Sequence, residues 1–252
     1  RFGIRIRNLD LINPMEGAPS DTVAHIEEFV ATVDVKEYLS NNNVIVNGIF
    51  LSNSRAHIFV NAKGVANYDI FVSDTSAEDT SSAALFNTMS IDKIGINDFS
   101  VTYKDLATQM GAVVKNIILD ADVAMEGNDI ATDFELSTSA VSFDLSDSTQ
   151  LNAQLSPLSV TFSGDFENFN RVKGKLDVES KNVHASMGGV QYADSLQIAA
   201  VLPLDLILDS LKIALTDAVI GVNEHKISLS GNAEFANDIT MDMRFSTNNI
   251  VL

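Results

Sequence analysis

Apolar and polar residues alternate along almost the whole chain. The longest run lies between residues 196 and 208, where Leu196, Ile198, Ala200, Leu202, Leu204, Leu206 and Leu208 occupy every second position. Successive side chains of a strand point to opposite faces, so this spacing makes one continuous apolar strand face. At about 3.3 Å per residue it would extend roughly 40 Å, beyond the length of an ordinary strand. Keeping its large aliphatic side chains from water is worth on the order of 10–18 kcal/mol before opposing terms. Such a face needs a partner, either another wall of the protein or an apolar ligand.

Shorter runs repeat the pattern. Phe2, Ile4 and Ile6 alternate near the start, and residues 44–51 are apolar on both faces. Ile94 and Ile96, then Phe99, Val101 and Tyr103, follow; later sets are Val141–Phe143–Leu145, Leu151–Ala153–Leu155, Val160–Phe162 and Leu176–Val178. Ile227, Leu229, Gly231, Ala233 and Phe235 precede Met241, Met243 and Phe245. Turn-forming residues separate the runs at 41–43, Gly64, Gly127–Asn128, Gly164, Gly188–Gly189, Gly231–Asn232 and Asn237–Asp238. Many strands at short spacing, without helices between them, predict an all-β, mostly antiparallel fold with one or two short helices.

Helical signals are confined to a few places. Asp34-Val-Lys-Glu37 reads as a capping box opening a helix over Asp34–Ser40, and a second short helix is expected at Ala83–Asn87. Leu204, Leu208, Leu211, Leu215, Ala218 and Val222 also fit helical spacing, but the alternation before them favours strands, with Pro203 at a bulge or an edge. Residues 73–84, opening Ser-Asp-Thr-Ser-Ala-Glu-Asp, lack periodicity and read as a flexible acidic loop. It divides an N-terminal β unit over residues 1–72 from a continuing β unit over residues 85–252.

Charge narrows the partners. The net charge is −18, which repels phosphate-rich nucleic acid and anionic membrane surfaces. There is no cysteine, which excludes disulfides, thiolate metal sites and cysteine nucleophiles. No run approaches the roughly 18 apolar residues of a membrane helix, because Asp205, Asp209 and Lys212 interrupt the greasiest stretch. The chain opens at Arg1 inside an alternating run without an initiator Met, and so reads as a piece of something longer.

Signatures of catalysis are missing. No G-x-G-x-x-G, P-loop, G-x-S-x-G or H-E-x-x-H occurs. His25, His57, His184 and His225 lack metal-ligand spacing, and Asp120-Ala-Asp122 fails as a calcium loop because Ala124 and Met125 stand where an oxygen ligand and the turn glycine belong. Acid pairs such as Asp129/Asp133 and Asp144/Asp147 carry little information among 34 acidic residues. Met241 and Met243 share a strand face and suit either a core or an adaptable lipid site. The expectation is therefore no catalytic residue, no metal and no cofactor.

One stretch carries a recognisable pattern. Residues 44–71 contain two apolar strands around Ile49-Phe-Leu-Ser-Asn-Ser-Arg55, then His57-Ile-Phe-Val-Asn-Ala-Lys-Gly64-Val-Ala-Asn67-Tyr68-Asp69-Ile70. This resembles the AsmA-like family of Gram-negative bacteria, in which a strand ends in a Gly turn followed by Ala-Asn-(Tyr/Trp)-Asp-Ile. The short helix Asp34–Ser40, the stretch from Ile91 to Asp105, and Asp238-Ile-Thr-Met-Asp-Met-Arg-Phe-Ser-Thr247 match in style, especially the Bacteroidetes members. The resemblance implies a periplasmic protein, anchored in the inner membrane by an N-terminal helix that this chain lacks. It further implies an elongated, curved sheet, a taco-like β-groove that binds or conducts phospholipid or another acyl-chain lipid and supports outer-membrane assembly. TamB-like bridge-like lipid-transfer proteins share that architecture, and envelope proteins are the expected partners.

Two readings stand side by side. In the first, a non-enzymatic lipid-binding groove is lined by Leu196, Ile198, Leu202, Leu204, Leu206, Leu208, Ile227, Leu229, Met241, Met243 and Phe245. In the second, two apolar walls close on each other as a sandwich or barrel that serves as a structural or adhesion module of the cell envelope. A β-rich glycan hydrolase comes behind both.

Overall fold

The computed structural model describes residues 2–69, 88–235 and 239–247, with Thr88, Met89 and Glu126 described by their backbone alone. The first strands are β1 (Phe2–Ile12), β2 (Thr22–Val33), β3 (Asn43–Val60), β4 (Thr88–Ile91), β5 (Lys93–Asp105), β6 (Met110–Glu126), β7 (Asp129–Thr138) and β8 (Ala140–Leu145). They are followed by β9 (Leu151–Leu155), β10 (Leu158–Glu167), β11 (Arg171–Met187), β12 (Val190–Ile207), β13 (Lys212–Val222), β14 (His225–Phe235) and β15 (Ile239–Thr247). Strand makes up 77% and helix 3%, so the all-β expectation holds. The expected acidic loop at 73–84 and the expected helix at Ala83–Asn87 lie outside the described residues, as does the turn at Asn237–Asp238.

All the strands belong to one sheet, in the order β1-β2-β3-β5-β6-β7-β10-β11-β12-β13-β14-β15. The remaining three extend strands already on that path. β4 and β5 both run parallel to β3, and Asp92 between them donates its N–H to Val46 O and accepts from Val123 N–H, each at 2.9 Å. β8 continues β7 along β6, and β9 precedes β10 along β11. Neighbours are otherwise antiparallel, the product of successive hairpins. Parallel pairing of β3 with β5 requires the chain to cross back over residues 61–92, which no hairpin turn can do.

Helix α1 (Val35–Asn41) sits between β2 and β3. The Asp34 carboxylate accepts from Lys36 N–H at 2.9 Å and Glu37 N–H at 3.2 Å, satisfying two donors that a helix start leaves open. The reciprocal half of the expected capping box is not made: Glu37 accepts from Asn41 Nδ2 at 2.8 Å, and the Asp34 N–H goes to Ile45 O. Asn42 ends the helix in the left-handed region, with φ 55°. Residues 204–222 form strands rather than a helix. Pro203 lies opposite a bulge on β13, where Asp217 adopts φ 53°, so its missing N–H costs no regular ladder bond.

Register partners share a face, and following them from strand to strand puts most of the apolar residues on one side, with Val30, Phe50, Phe59 and Val201 among the exceptions on the other. One row reads Ile4, Ala31, Ile49, Ile94, Ala121, Phe134, Phe162, Leu176 and Leu202. The opposite side carries Arg5, Lys93, Asp120, Asp133, Glu135, Lys175 and Asp177, among others.

Strict alternation does not produce this separation. In most strands two successive positions of the apolar face are three residues apart: Ile6/Leu9, Ile26/Phe29, Leu51/Ser54, Ile96/Phe99, Val114/Ile117, Thr138/Val141, Leu155/Leu158, Ser180/Val183 and Ala193/Leu196. These skips lie next to one another and form a line across the sheet from β1 to β12. The line steps by one row between β5 and β6 and again between β11 and β12. Each skip absorbs an odd residue, as a β-bulge does, and bulges bend and twist the strand that carries them.

Residue chemistry suits the line. Asn8, Asn53, Asp98, Asn116 and Ser195 adopt φ between 48° and 60° there, a conformation that Asn and Asp tolerate better than most residues. Asn116 Nδ2 donates to Asp98 Oδ1 and Ser139 Oγ donates to Asn116 Oδ1, both at 2.7 Å. A polar seam thus runs where the ladders are interrupted.

Candidate functional site

The apolar face is the largest organised feature of the molecule. It reaches from Phe2, Ile4 and Ile6 on β1 to Met241, Met243 and Phe245 on β15. Along the rows that cross the last strands, Leu204 is level with Leu215, Gly231 and Met243, and Leu206 with Ile213, Ala233 and Met241. Ile227 lies beside Ile220, Leu229 beside Phe245, Ile198 beside Ser180, and Leu196 beside Val183. Ten of the eleven residues singled out from the sequence therefore share this face. Leu208 does not lie in the strand: it is in the turn after β12, where its N–H donates to Asn170 O at 2.8 Å.

Sequence reasoning missed the middle of the face. Phe162 packs against Phe134 and Phe166, with ring centroids 5.5 and 5.9 Å away. Its ring covers the paired glycines Gly164 and Gly174, whose added Cβ atoms would stand 2.9 and 2.8 Å from it. Alternation at Ile130, Thr132, Phe134 and Leu136, with Asp133 and Glu135 between, was the available signal.

The face is shielded by its own side chains rather than sealed. Phe162 is 6% exposed and Leu229 7%, whereas Phe2 is 58%, Met241 66% and Phe245 68% exposed at the two outer strands. Among the described residues, Asn67 is the largest side chain that is fully buried. The accessible surface is 16469 Å², against about 11,000 Å² for a compact monomer of this mass. A closed sandwich core would hold its large aliphatic side chains dry.

Few polar groups interrupt the face, and they concentrate at the line of skips. Ser54, Thr138 and Ser180 are buried there. Ser54 Oγ donates to Ser52 O and accepts from Glu27 N–H, while Thr138 Oγ1 and Ser180 Oγ have no partner among the described residues. At one end, Asp105 turns its carboxylate onto the β5–β6 turn, accepting from Ala107 N–H at 2.7 Å and Thr108 N–H at 3.1 Å. The Thr108 N–H above all holds its pKa below the ordinary carboxylate value, against the effect of burial. Tyr103, whose OH donates to Asp105, is pushed up by burial first and by that carboxylate second.

On the other face the acids serve structural ends. Asp120 and Asp122, the start of the failed calcium pattern, both take the Lys93 ammonium, at 2.5 and 2.9 Å. That cation offsets two like-charged cross-strand pairs, Asp120 with Glu135 and Asp122 with Asp133. Asp129 accepts from Asn168 N–H, and Asp147 from Thr149 N–H and Oγ1 within its own turn, which lowers the Asp147 pKa. His25 pairs with Asp10 at 2.7 Å, His184 with Asp194 at 3.1 Å, and His57 Nδ1 meets Thr102 Oγ1 at 2.7 Å. Burial, then the nearby Arg55, holds His57 below its ordinary pKa. Among the described residues no group of three such side chains is placed to hold a metal ion. Compared with family models, with curated proteins and with solved structures, the chain finds no match in any of the three.

Proposed function

We propose that the protein is a non-enzymatic, AsmA-like component of a Gram-negative periplasm whose apolar sheet face holds the acyl chains of phospholipids. One observation carries the reading: the apolar face extends from β1 to β15 with few polar interruptions, and its large side chains on the two outer strands stay in contact with solvent. Each methylene laid on such a surface contributes about 0.8 kcal/mol, so a pair of acyl chains gains ample affinity without a specific polar contact. The acid-rich opposite face keeps the sheet soluble while the first is occupied. Asn67, which the resemblance singles out, closes the edge of β3 in the manner described below.

Mass spectrometry of organic extracts from protein purified without detergent tests the proposal, together with transfer of a fluorescent phospholipid from vesicles. Co-purifying phospholipid and saturable transfer are expected. A lipid-free extract together with no transfer overturns the proposal and leaves a structural or adhesion module as the better account.

A further inference from the structure

The polar face carries a cleft of about 730 Å³ at the end where β3, β5, β6 and β8 lie side by side. That volume is in the range of small-molecule sites. Its floor is one register row: Phe59 on β3, Lys104 on β5, Gly111 on β6 and Asp144 on β8. Asn13, Pro19 and Ser20 of the β1–β2 connection overhang it.

Lys104 and Asp144 stand on either side of Gly111, two strands and so roughly 10 Å apart at their Cα atoms. The Asp144 carboxylate leans into the space that a side chain at Gly111 would fill, since a Cβ there would come within 2.4 Å of Oδ1. Despite the opposite charges they form no ion pair, and neither has a hydrogen-bond partner among the described residues. Beside Asp105, whose carboxylate is bonded to its own turn, the cleft therefore presents one unpartnered cation and one unpartnered anion across a gap.

We infer that this cleft binds a small zwitterion, with its anionic group at Lys104 Nζ and its ammonium at the Asp144 carboxylate. The overall charge selects the class. A protein of net charge −18 repels a simple anion from its single lysine there, and a simple cation at Asp144 would lie close to Lys104. A neutral molecule bearing both groups satisfies both side chains and meets no net field. Buried Phe59 and the flanking Val113 and Leu106 suit a short carbon link between its charges. The inference is independent of the acyl-chain reading, because the cleft opens on the opposite face of the sheet.

Titrating the ¹⁵N-labelled chain with O-phosphoethanolamine and, separately, with leucine tests it. At least one should shift the Lys104, Gly111 and Ser146 amides saturably, and ethanolamine or methyl phosphate should bind at least about tenfold more weakly. Lys104→Met and Asp144→Asn should each weaken binding by a similar factor. Gly111→Ala, which pushes the Asp144 carboxylate aside, should do the same, and the exposed position of both charged side chains should leave all three melting curves unchanged. Competition by lysophosphatidylethanolamine below its micelle concentration identifies a lipid head group as a fitting source; its failure while O-phosphoethanolamine binds confines the site to soluble zwitterions. Absence of saturable shifts with both probes overturns the inference, as does undiminished binding by the Lys104 and Asp144 variants.

Discussion

The Asn67 carboxamide stands against Phe59 in the place of a missing strand. Phe59 N–H donates to Asn67 Oδ1 at 2.9 Å, Asn67 N–H donates to Phe59 O at 2.8 Å, and Asn67 Nδ2 reaches His57 O at 2.8 Å. β2 pairs with β3 only as far as Ala56, so beyond that point this side of β3 has no strand neighbour. A turn over Asn61–Val65 brings the chain back, and one side chain completes the ladder.

Replacing Asn67 with Ala leaves the Phe59 N–H and His57 O without partners. The expected cost is about 2–4 kcal/mol, from roughly 1–3 kcal/mol for each unsatisfied buried group, read from urea unfolding. Asn67→Asp keeps the acceptor but buries a carboxylate. Its pKa should rise, so that variant should recover stability as the pH falls, when the protonated oxygen can donate to His57 O. A loss below about 0.5 kcal/mol for Asn67→Ala would sink this role.

Deleting Asp98 removes the odd residue of one skip, so Phe99, Val101 and Tyr103 follow Ile96 in strict alternation on the apolar face, but every pair they make with β3 and β6 slips by one residue. That variant should fail to fold, or lose the sheet signal in far-UV circular dichroism at moderate temperature. Asp98→Gly, which keeps the residue count and suits φ 60°, should fold and lose only the bond from Asn116. Equal stability of the two variants would show that the skip is dispensable.

Leu204→Asp puts a carboxylate midway along the apolar face, between Gly174 and Leu215. If lipid lies there, phospholipid transfer should fall at least about tenfold while the domain stays folded, because water reaches the face. In a sealed core the same carboxylate would cost several kcal/mol and the protein would not fold. A folded variant that transfers lipid as well as the parent removes this strand from the site.

Arg171 grips Asp205 with two bonds, Nε to Oδ1 at 2.7 Å and Nη2 to Oδ2 at 2.5 Å. That bonding above all lowers the Asp205 pKa, and burial opposes it. A carboxylate with a depressed pKa stabilises the fold above its unfolded value near 3.9, and the stabilisation is lost as pH falls through the folded pKa. Asp205→Asn should therefore melt below the parent at pH 7, and the gap should close between about pH 4 and pH 2. A gap that stays constant over that window would count against the pairing.

Much of this was legible in the residues, and what was not has physical causes. Alternation located β12, β14 and β15 and put ten of the eleven chosen residues on one face, because burial on one side leaves a period of two. It did not reveal the skips. Read strictly, Val46 and Ile49 fall on opposite faces, yet a bulge between Thr32 and Val33 puts them on the same one. Apolar pairs three apart, such as Ile6/Leu9 and Leu155/Leu158, were the visible trace. The parallel pairing of β3 with β5 left no local signal, since it depends on a crossing of some thirty residues (61–92). Lys104 and Asp144 lie 40 residues apart, and only the register of β5, β6 and β8 brings them to one row.

An open path of twelve strand positions has no fixed size. Neighbouring strands are about 4.8 Å apart, so the apolar face measures roughly 53 Å from β1 to β15, more than the hydrocarbon thickness of a bilayer. A barrel must match strand number to circumference, whereas here each added hairpin simply lengthens the surface. Evolution can thus set the reach of such a protein by duplicating hairpins, with every copy inheriting the same greasy side.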